Sequence, residues 1–219
     1  MTSHGLQVRS ATDPAAGDGA SGVRPALAQP ADRRSRLVSP SMAETVRLAS
    51  CVAATLTVAC GLIVLVVHLW FAGAARRWLA FPFAGIPARP STAAIIFSHN
   101  LRARAAICGL LLIAQSAYWS AAGAEPGHAH RMLRGLGEAL LAAAVVANLV
   151  VIGASFGAYG TRMVRAALPH GPVELAAYSL ALALYLQGRN RPLPIRHVLA
   201  VAALSVSVLA LAALLETFL

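Results

Sequence analysis

The residues of this sequence that could do acid–base or ion-binding chemistry are few, and the closest pair is His170 and Glu174. They are four positions apart; Pro169 precedes His170, and Pro172 lies between the two residues. On a helix that begins early enough, the imidazole and the carboxylate would therefore face each other. Pro172 suits a first helical turn, because its missing N–H would have no partner there. Glu174 would then lie near the positive end of the helix dipole. Two hypotheses stay open: a buried ionisable group with a functional partner, or an acid that only marks a helix end.

Further candidate polar residues lie within or beside apolar stretches. Arg102 and Arg104 are two positions apart, so on a helix they point to nearly opposite sides, one towards water and one towards protein. One of them could pair with Glu174, because both helices start on the same side in a five-span topology; the alternative is that both arginines are positive-side anchors. Asn148 lies mid-stretch, where an amide needs a partner, and it predicts a hydrogen bond across helices. The candidate polar cluster is Asn100, Arg102, Arg104, Asn148, His170, Glu174 and Glu216.

Motifs for catalysis or cofactor binding are not found in the sequence. There is no Gly-rich phosphate loop, serine elbow, pair of catalytic carboxylates or His-Glu-x-x-His helix. His128 and His130 with Glu125 are too small a set for a metal site. The three cysteines lie apart in apolar stretches, without disulfide or zinc spacing. We expect no catalytic residue, no cofactor and no metal, and an enzyme ranks last among the functions considered.

Composition indicates the elements that must position these residues. Of 219 residues, 58% are hydrophobic and 12% are charged, with a mean hydropathy of +0.68, which excludes most soluble enzymes. The net charge is +10, and all 18 basic residues are Arg. A basic chain can bind nucleic acid, but here the charges are sparse and separate long apolar stretches. That pattern is typical of membrane topology, so we expect a lipid bilayer and no nucleic acid as partner.

Five apolar stretches are long enough for transmembrane helices, which need about 20 residues. They are Leu48–Ala75, Ala105–Ala124, Ala139–Thr161, Gly171–Gly188 and Val198–Leu215. The last two are at the short limit, so four or six spans stay open. The predicted fold class is an all-α integral membrane protein with about five transmembrane helices. Residues 1–43 form a disordered tail, 44–93 the first transmembrane helix and a Pro-rich connector, and 94–219 a four-helix membrane region.

Two further features bear on topology and assembly. An odd number of spans puts the termini on opposite sides, with nine arginines on the amino-terminal side and seven on the other. That excess predicts a cytoplasmic amino terminus. Gly153 and Gly157 form a small-xxx-small face, which allows close helix approach. It favours packing within the chain over a homo-oligomer formed through Gly153 and Gly157.

Residues 94–219 resemble the stage II sporulation protein M family in four places. The segment around Asn100 and Arg102 resembles its Asn-x-Arg motif, and Asn148 with Gly153 its Asn-Gly-rich stretch. The most specific element is Pro169-His170-Gly171 with Glu174, which is similar to the Pro-His-Gly-x-x-Glu signature of the family. Glu216-Thr217-Phe218 resembles its closing Glu-x-Phe.

The resemblance implies a multi-pass protein of the bacterial inner (cell) membrane without catalysis of its own. Sporulation members of the family hold peptidoglycan-degrading partners, and other members accompany peptide bacteriocin systems. The first expected function is therefore a non-enzymatic scaffold or subunit of a membrane complex, with other membrane or cell-envelope proteins as partners. The alternative is a subunit for export, maturation or immunity of a peptide, which works with a separate ATPase or an ion gradient.

Overall fold

The computed structural model describes residues 40–81, 88–119 and 127–218, which all belong to the unit Val38–Leu219. Most of the predicted disordered tail (1–39) and of the Pro-rich connector (82–87) lies outside the described residues. The described residues are helical, as predicted, and contain no strand. The elements are α1 (Met42–Val66), a π-helical turn (Val67–Phe71), α2 (Ala72–Leu79), α3 (Pro90–Trp119), α4 (His128–Tyr159), α5 (Thr161–Ala167), α6 (Gly171–Gly188) and α7 (Ile195–Phe218).

The first helix begins at Met42, two residues inside the predicted tail. Ser41 precedes it, and the Ser41 hydroxyl oxygen accepts a hydrogen bond from the Glu44 N–H at 3.1 Å. Ser-x-x-Glu is the pattern of a helix start, so the sequence carried the signal for this boundary. The helical segment then continues through the π-helical turn to Leu79, over 38 residues. At 1.5 Å per residue this is about 57 Å, longer than a bilayer core of about 30 Å.

Four of the described helical segments are long and apolar enough to cross a membrane: Met42–Leu79, Pro90–Ser116, His128–Tyr159 and Ile195–Phe218. The predicted fourth span has the expected bounds as α6, but it is not among these four. Instead α6 is the helix most enclosed by protein, since it packs against α1, α3 and α7 and its last two-thirds is almost entirely buried. Its polar residues lower its apolarity, and they need protein partners because lipid offers none.

Two other helix boundaries differ from the apolar stretches that predicted them. α4 ends at Tyr159, because Gly160 adopts φ +56° and ψ −131°, a conformation that a side chain would strain. The predicted stretch continued to Thr161, since hydropathy does not report backbone conformation. α4 also begins at His128, well before Ala139, so the apolar stretch marks only the part of the helix suited to lipid.

The two ends of the bundle are defined by buried polar residues. At the Gln115 end, the end of α3 meets the end of α6 and the segment before α7. The Gln115 side-chain amide donates a hydrogen bond to the Gly188 carbonyl and accepts one from the Leu193 N–H. At the Glu174 end, α3 and α6 both begin and α7 finishes. The two helices that carry Arg104 and Glu174 therefore start on the same side, which is the condition for contact between them.

A core of aliphatic side chains joins α3, α6 and α7 between these ends. It includes Ile107 and Leu111 of α3, Leu184 of α6 and Val201 of α7, all almost fully buried. The α3–α6 contact is thus fixed by packing in the middle of the bundle. The polar side chains at the Glu174 end are positioned on these packed helices.

Candidate functional site

Glu174 lies in the first turn of α6, where the sequence pattern placed it. Pro172 occupies the first turn as well, and His170 is the residue before the helix. The Glu174 N–H donates to the His170 carbonyl at 2.9 Å, so the turn is closed by the main chain. The carboxylate is near the positive end of the helix dipole, which stabilises a negative charge by about 0.3–1 kcal/mol.

Asn100 and Arg104 of α3 both bind Glu174, by different groups. The Asn100 side-chain amide donates a hydrogen bond to the Glu174 carboxylate oxygen Oε1. Arg104, one helical turn later, donates from Nη2 to the Glu174 carbonyl oxygen at 3.3 Å and from Nη1 to the Asn100 carbonyl oxygen at 3.3 Å. We name these three residues the α3–α6 clasp, because they tie two parallel helices together at one end.

The clasp differs from a simple ion pair. Arg104 reaches the main chain of Glu174, and the carboxylate is held by an amide. Only 3% of Arg104 is exposed, and its Nε has no hydrogen-bond partner within the described residues. The Glu174 charge nevertheless acts favourably on the guanidinium. A buried charge without partners is strongly destabilising, so burial of the Arg104 guanidinium depends on its contacts with Glu174 and Asn100.

Arg102 and Asn148 of the candidate polar cluster lie outside this site. Arg102 is exposed, as expected for a residue nearly opposite Arg104 on the helix. Asn148 is on the exposed face of α4, where its amide donates to the carbonyl of Ala144 at 2.8 Å. The prediction that Asn148 bonds across helices is wrong, because an amide can satisfy itself on the preceding turn of its own helix.

A cavity of about 360 Å³ adjoins the clasp at the Glu174 end. Glu216, near the end of α7, faces it together with Glu174 and lies close enough to Glu174 and His170 to interact electrostatically. The described residues that line the cavity are Ile95, Ile96, His99, Asn100, Glu174 and Glu216. The structure therefore brings together Asn100, Arg104, His170, Glu174 and Glu216 out of the predicted cluster.

Gly153 and Gly157 are used inside the chain, against α1. A Cβ at Gly153 would lie 2.7 Å from Ile63 Cγ2, and a Cβ at Gly157 would lie 2.8 Å from the Val64 carbonyl oxygen and from Val67 Cβ. Without side chains here, the backbones of α1 and α4 approach closely. The small-xxx-small face is covered by α1, so these glycines do not offer a surface to a second copy of the chain.

Sequence reasoning missed the importance of Gln115. This side chain is completely buried, and its amide donates to the carbonyls of Gly188 and Arg191 at 2.5 and 2.9 Å and accepts from the Leu193 N–H at 2.9 Å. Three main-chain groups of the α6–α7 connection are thereby satisfied by one residue. The signal was a single amide within an apolar stretch, which by itself does not tell a connector from a packing residue.

A second buried polar group was also missed at the Gln115 end. The Thr45 hydroxyl lies 3.0 Å from Gln187 Oε1 and 3.1 Å from His197 Nε2, so it links α1, α6 and α7. Thr45 is 142 residues before Gln187 and 152 residues before His197, so only the tertiary fold joins it to them.

The described contacts of the site attach α3 to α6 and place the carboxylates of Glu174 and Glu216 at a cavity. In the part of the chain that the structure describes, no group of three or more His, Cys, Asp or Glu residues could hold a metal ion. When the chain was compared with family models, with curated proteins and with solved structures, none of them matched it.

Proposed function

We propose that the chain is a five-span membrane protein of the bacterial inner membrane that acts as a non-enzymatic scaffold or subunit of a membrane complex. α6 is the additional span in this proposal, enclosed by α1, α3 and α7. Supporting it, the outward side chains of these helices are large and apolar, for example Leu62, Leu136 and Leu199, each about 60% exposed. Trp70 and Trp78, both 70% exposed, suit the head-group region.

The observation that carries the scaffold role is the burial of Arg104. A transport pathway would present its charged groups to a cavity, whereas the buried guanidinium of Arg104 donates hydrogen bonds to the Glu174 carbonyl, across to α6, and to the Asn100 carbonyl within α3. At the opposite end, the side chain of Gln115 in α3 likewise forms hydrogen bonds with main-chain groups, at the end of α6 and in the connection to α7. These buried polar contacts at both ends support a stable helical platform. The resemblance around Pro169-His170-Gly171 and Glu174 motivates the same role, with cell-envelope proteins as partners.

The second candidate is the subunit for peptide export, maturation or immunity. The specific observation in its favour is the cavity, because Glu174 and Glu216 face it from two helices. Such a subunit would draw energy from a separate ATPase or from an ion gradient.

We also propose an orientation for the chain. The arginine excess favours a cytoplasmic start of α1.

The scaffold role predicts that the protein belongs to a larger complex and that it does not conduct ions. We expect the tagged full chain, extracted mildly from membranes of its own organism, to migrate on native gels well above its mass of 22.6 kDa. Liposomes that contain the purified chain should leak protons under an imposed potential no faster than liposomes with an unrelated membrane protein. A lone monomer in native membranes, or a flux that Glu216→Gln removes and Glu44→Gln keeps, would overturn the scaffold role.

A further inference from the structure

The cavity at the Glu174 end has an unusual balance of charge. Two carboxylates face it, from the first turn of α6 and from the end of α7, whereas the guanidinium of Arg104 is buried and does not line it. Two neighbouring carboxylates in a partly buried site disfavour each other's ionisation. A positive group between them would relieve this repulsion, in surroundings where charge interactions are stronger than in water.

Hydrogen-bond acceptors also converge on the cavity. Asn100 occupies Oε1 of Glu174 with its amide nitrogen, which leaves Oε2 of Glu174 and the Asn100 amide oxygen available. No described residue forms a hydrogen bond or an ion pair with Glu216. A primary ammonium has three N–H donors and no acceptor, and its hydrogen bonds to carboxylates are among the stronger ones in proteins.

The apolar part of the cavity lining argues for an organic ligand over a bare ion. Ile95 and Ile96 line the cavity together with the carboxylates, and a volume of about 360 Å³ leaves room for carbon atoms beside the nitrogen. Calcium prefers six to eight oxygen ligands, more than these side chains offer. We propose that this cavity binds a primary ammonium group attached to an apolar body, supplied either by a lipid head group or by a free amine.

The lipid arm of the test uses the full chain in nanodiscs of phosphatidylglycerol that contain equal amounts of phosphatidylethanolamine and phosphatidylcholine with the same acyl chains. Native mass spectrometry counts the lipids that stay bound on release. We expect ethanolamine lipid to be retained over choline lipid by about tenfold, because loss of charge-assisted hydrogen bonds weakens binding to that extent.

The free-amine arm of the test compares octylamine with octyltrimethylammonium. It measures how far each compound raises the melting temperature of the chain in detergent, and we expect octylamine to raise it more.

Matched variants tie either preference to the cavity. Glu216→Gln should abolish it, whereas Glu44→Gln, the same change at an exposed ion pair with Arg191 at the other end, should keep it. Glu174→Gln serves as the second variant if the first one fails to fold. Preference in the lipid arm identifies a head group as the source, and preference in the amine arm alone identifies a free amine. The proposal is overturned if the wild type favours neither primary ammonium, or if the glutamine variants of the cavity keep the wild-type preference.

Discussion

At the residue scale, position along a helix decides what a charged side chain does. Arg102 and Arg104 share a helix and a side-chain type, yet one is exposed and the other is 3% exposed. Arg104 is tolerated inside because the α3–α6 clasp supplies two carbonyl oxygens and a nearby carboxylate. Asn100 is the smallest member of the clasp, but it makes the side-chain contact that orients the Glu174 carboxylate.

Asn100→Ala should destabilise the protein, because a half-buried carboxylate loses its donor while Arg104 stays buried. We expect a loss of about 1–3 kcal/mol in the free energy of unfolding. Unfolding of the purified chain in mixed micelles with increasing SDS measures it. Asn148→Ala is the matched control, since its amide bonds only within α4, and it should cost no more than about 0.5 kcal/mol. Equal losses in the two variants would contradict a special role for the clasp.

At the element scale, close approach of helices depends on residues without side chains. α1 and α4 pack through Gly153 and Gly157, where added Cβ atoms would overlap Ile63, Val64 and Val67. In lipid, where the hydrophobic effect gives helices no reason to associate, van der Waals contact of this kind is a main source of packing energy.

Gly157→Ala should therefore weaken the α1–α4 contact by about 1–3 kcal/mol, the usual cost of overpacking. Gly135 lies in the same helix with nothing within 4 Å of its added Cβ, so Gly135→Ala is the control. It should be neutral or stabilising by up to about 1 kcal/mol, because alanine favours helices over glycine. Thermal unfolding in one detergent compares the two. If Gly157→Ala lowers the stability no more than Gly135→Ala does, then α1 and α4 are not tightly packed at Gly157.

At the scale of the whole molecule, α1, α3 and α7 enclose α6, which is not among the four segments apolar and long enough to span a membrane. α6 contributes buried residues along most of its length, and its neighbours α1, α3 and α7 supply the contacts. In the proposed topology, a helix enclosed in this way would cross the bilayer within protein, and its own hydropathy would understate its depth. This is the physical basis on which we propose five passes.

Labelling of single cysteines tests those five passes. In a chain whose natural cysteines are replaced by serine, Leu168→Cys precedes α6 and Asn190→Cys follows it, and both positions are exposed. An impermeant maleimide should label them from opposite sides, one in sealed right-side-out vesicles and the other in inverted vesicles. If the start of α1 is cytoplasmic, Asn190→Cys reacts in inverted vesicles. Reaction of both from the same side would exclude α6 as a span.

Much of the fold follows from hydropathy, and less of the site does. Apolar length predicted the all-α class and located the long helices, because each stretch is a local property of the chain. Glu174 was placed correctly in a first turn because Pro172 marks a helix start. The clasp required knowledge of which helices neighbour each other, and so did the bonds of Gln115. Asn148 was misplaced because an isolated amide in an apolar stretch can face its own backbone, which sequence alone does not reveal.

The enclosure of α6 also has a consequence for biosynthesis. Because α1, α3 and α4 precede it in the chain, they have left the ribosome before α6 does. In the proposed five-span topology, α6 emerges with its glutamate and glutamine to meet helices already synthesised, which offer the contacts that acyl chains do not. Assembly would then follow the order of the chain, because the earlier helices supply the polar contacts that α6 requires.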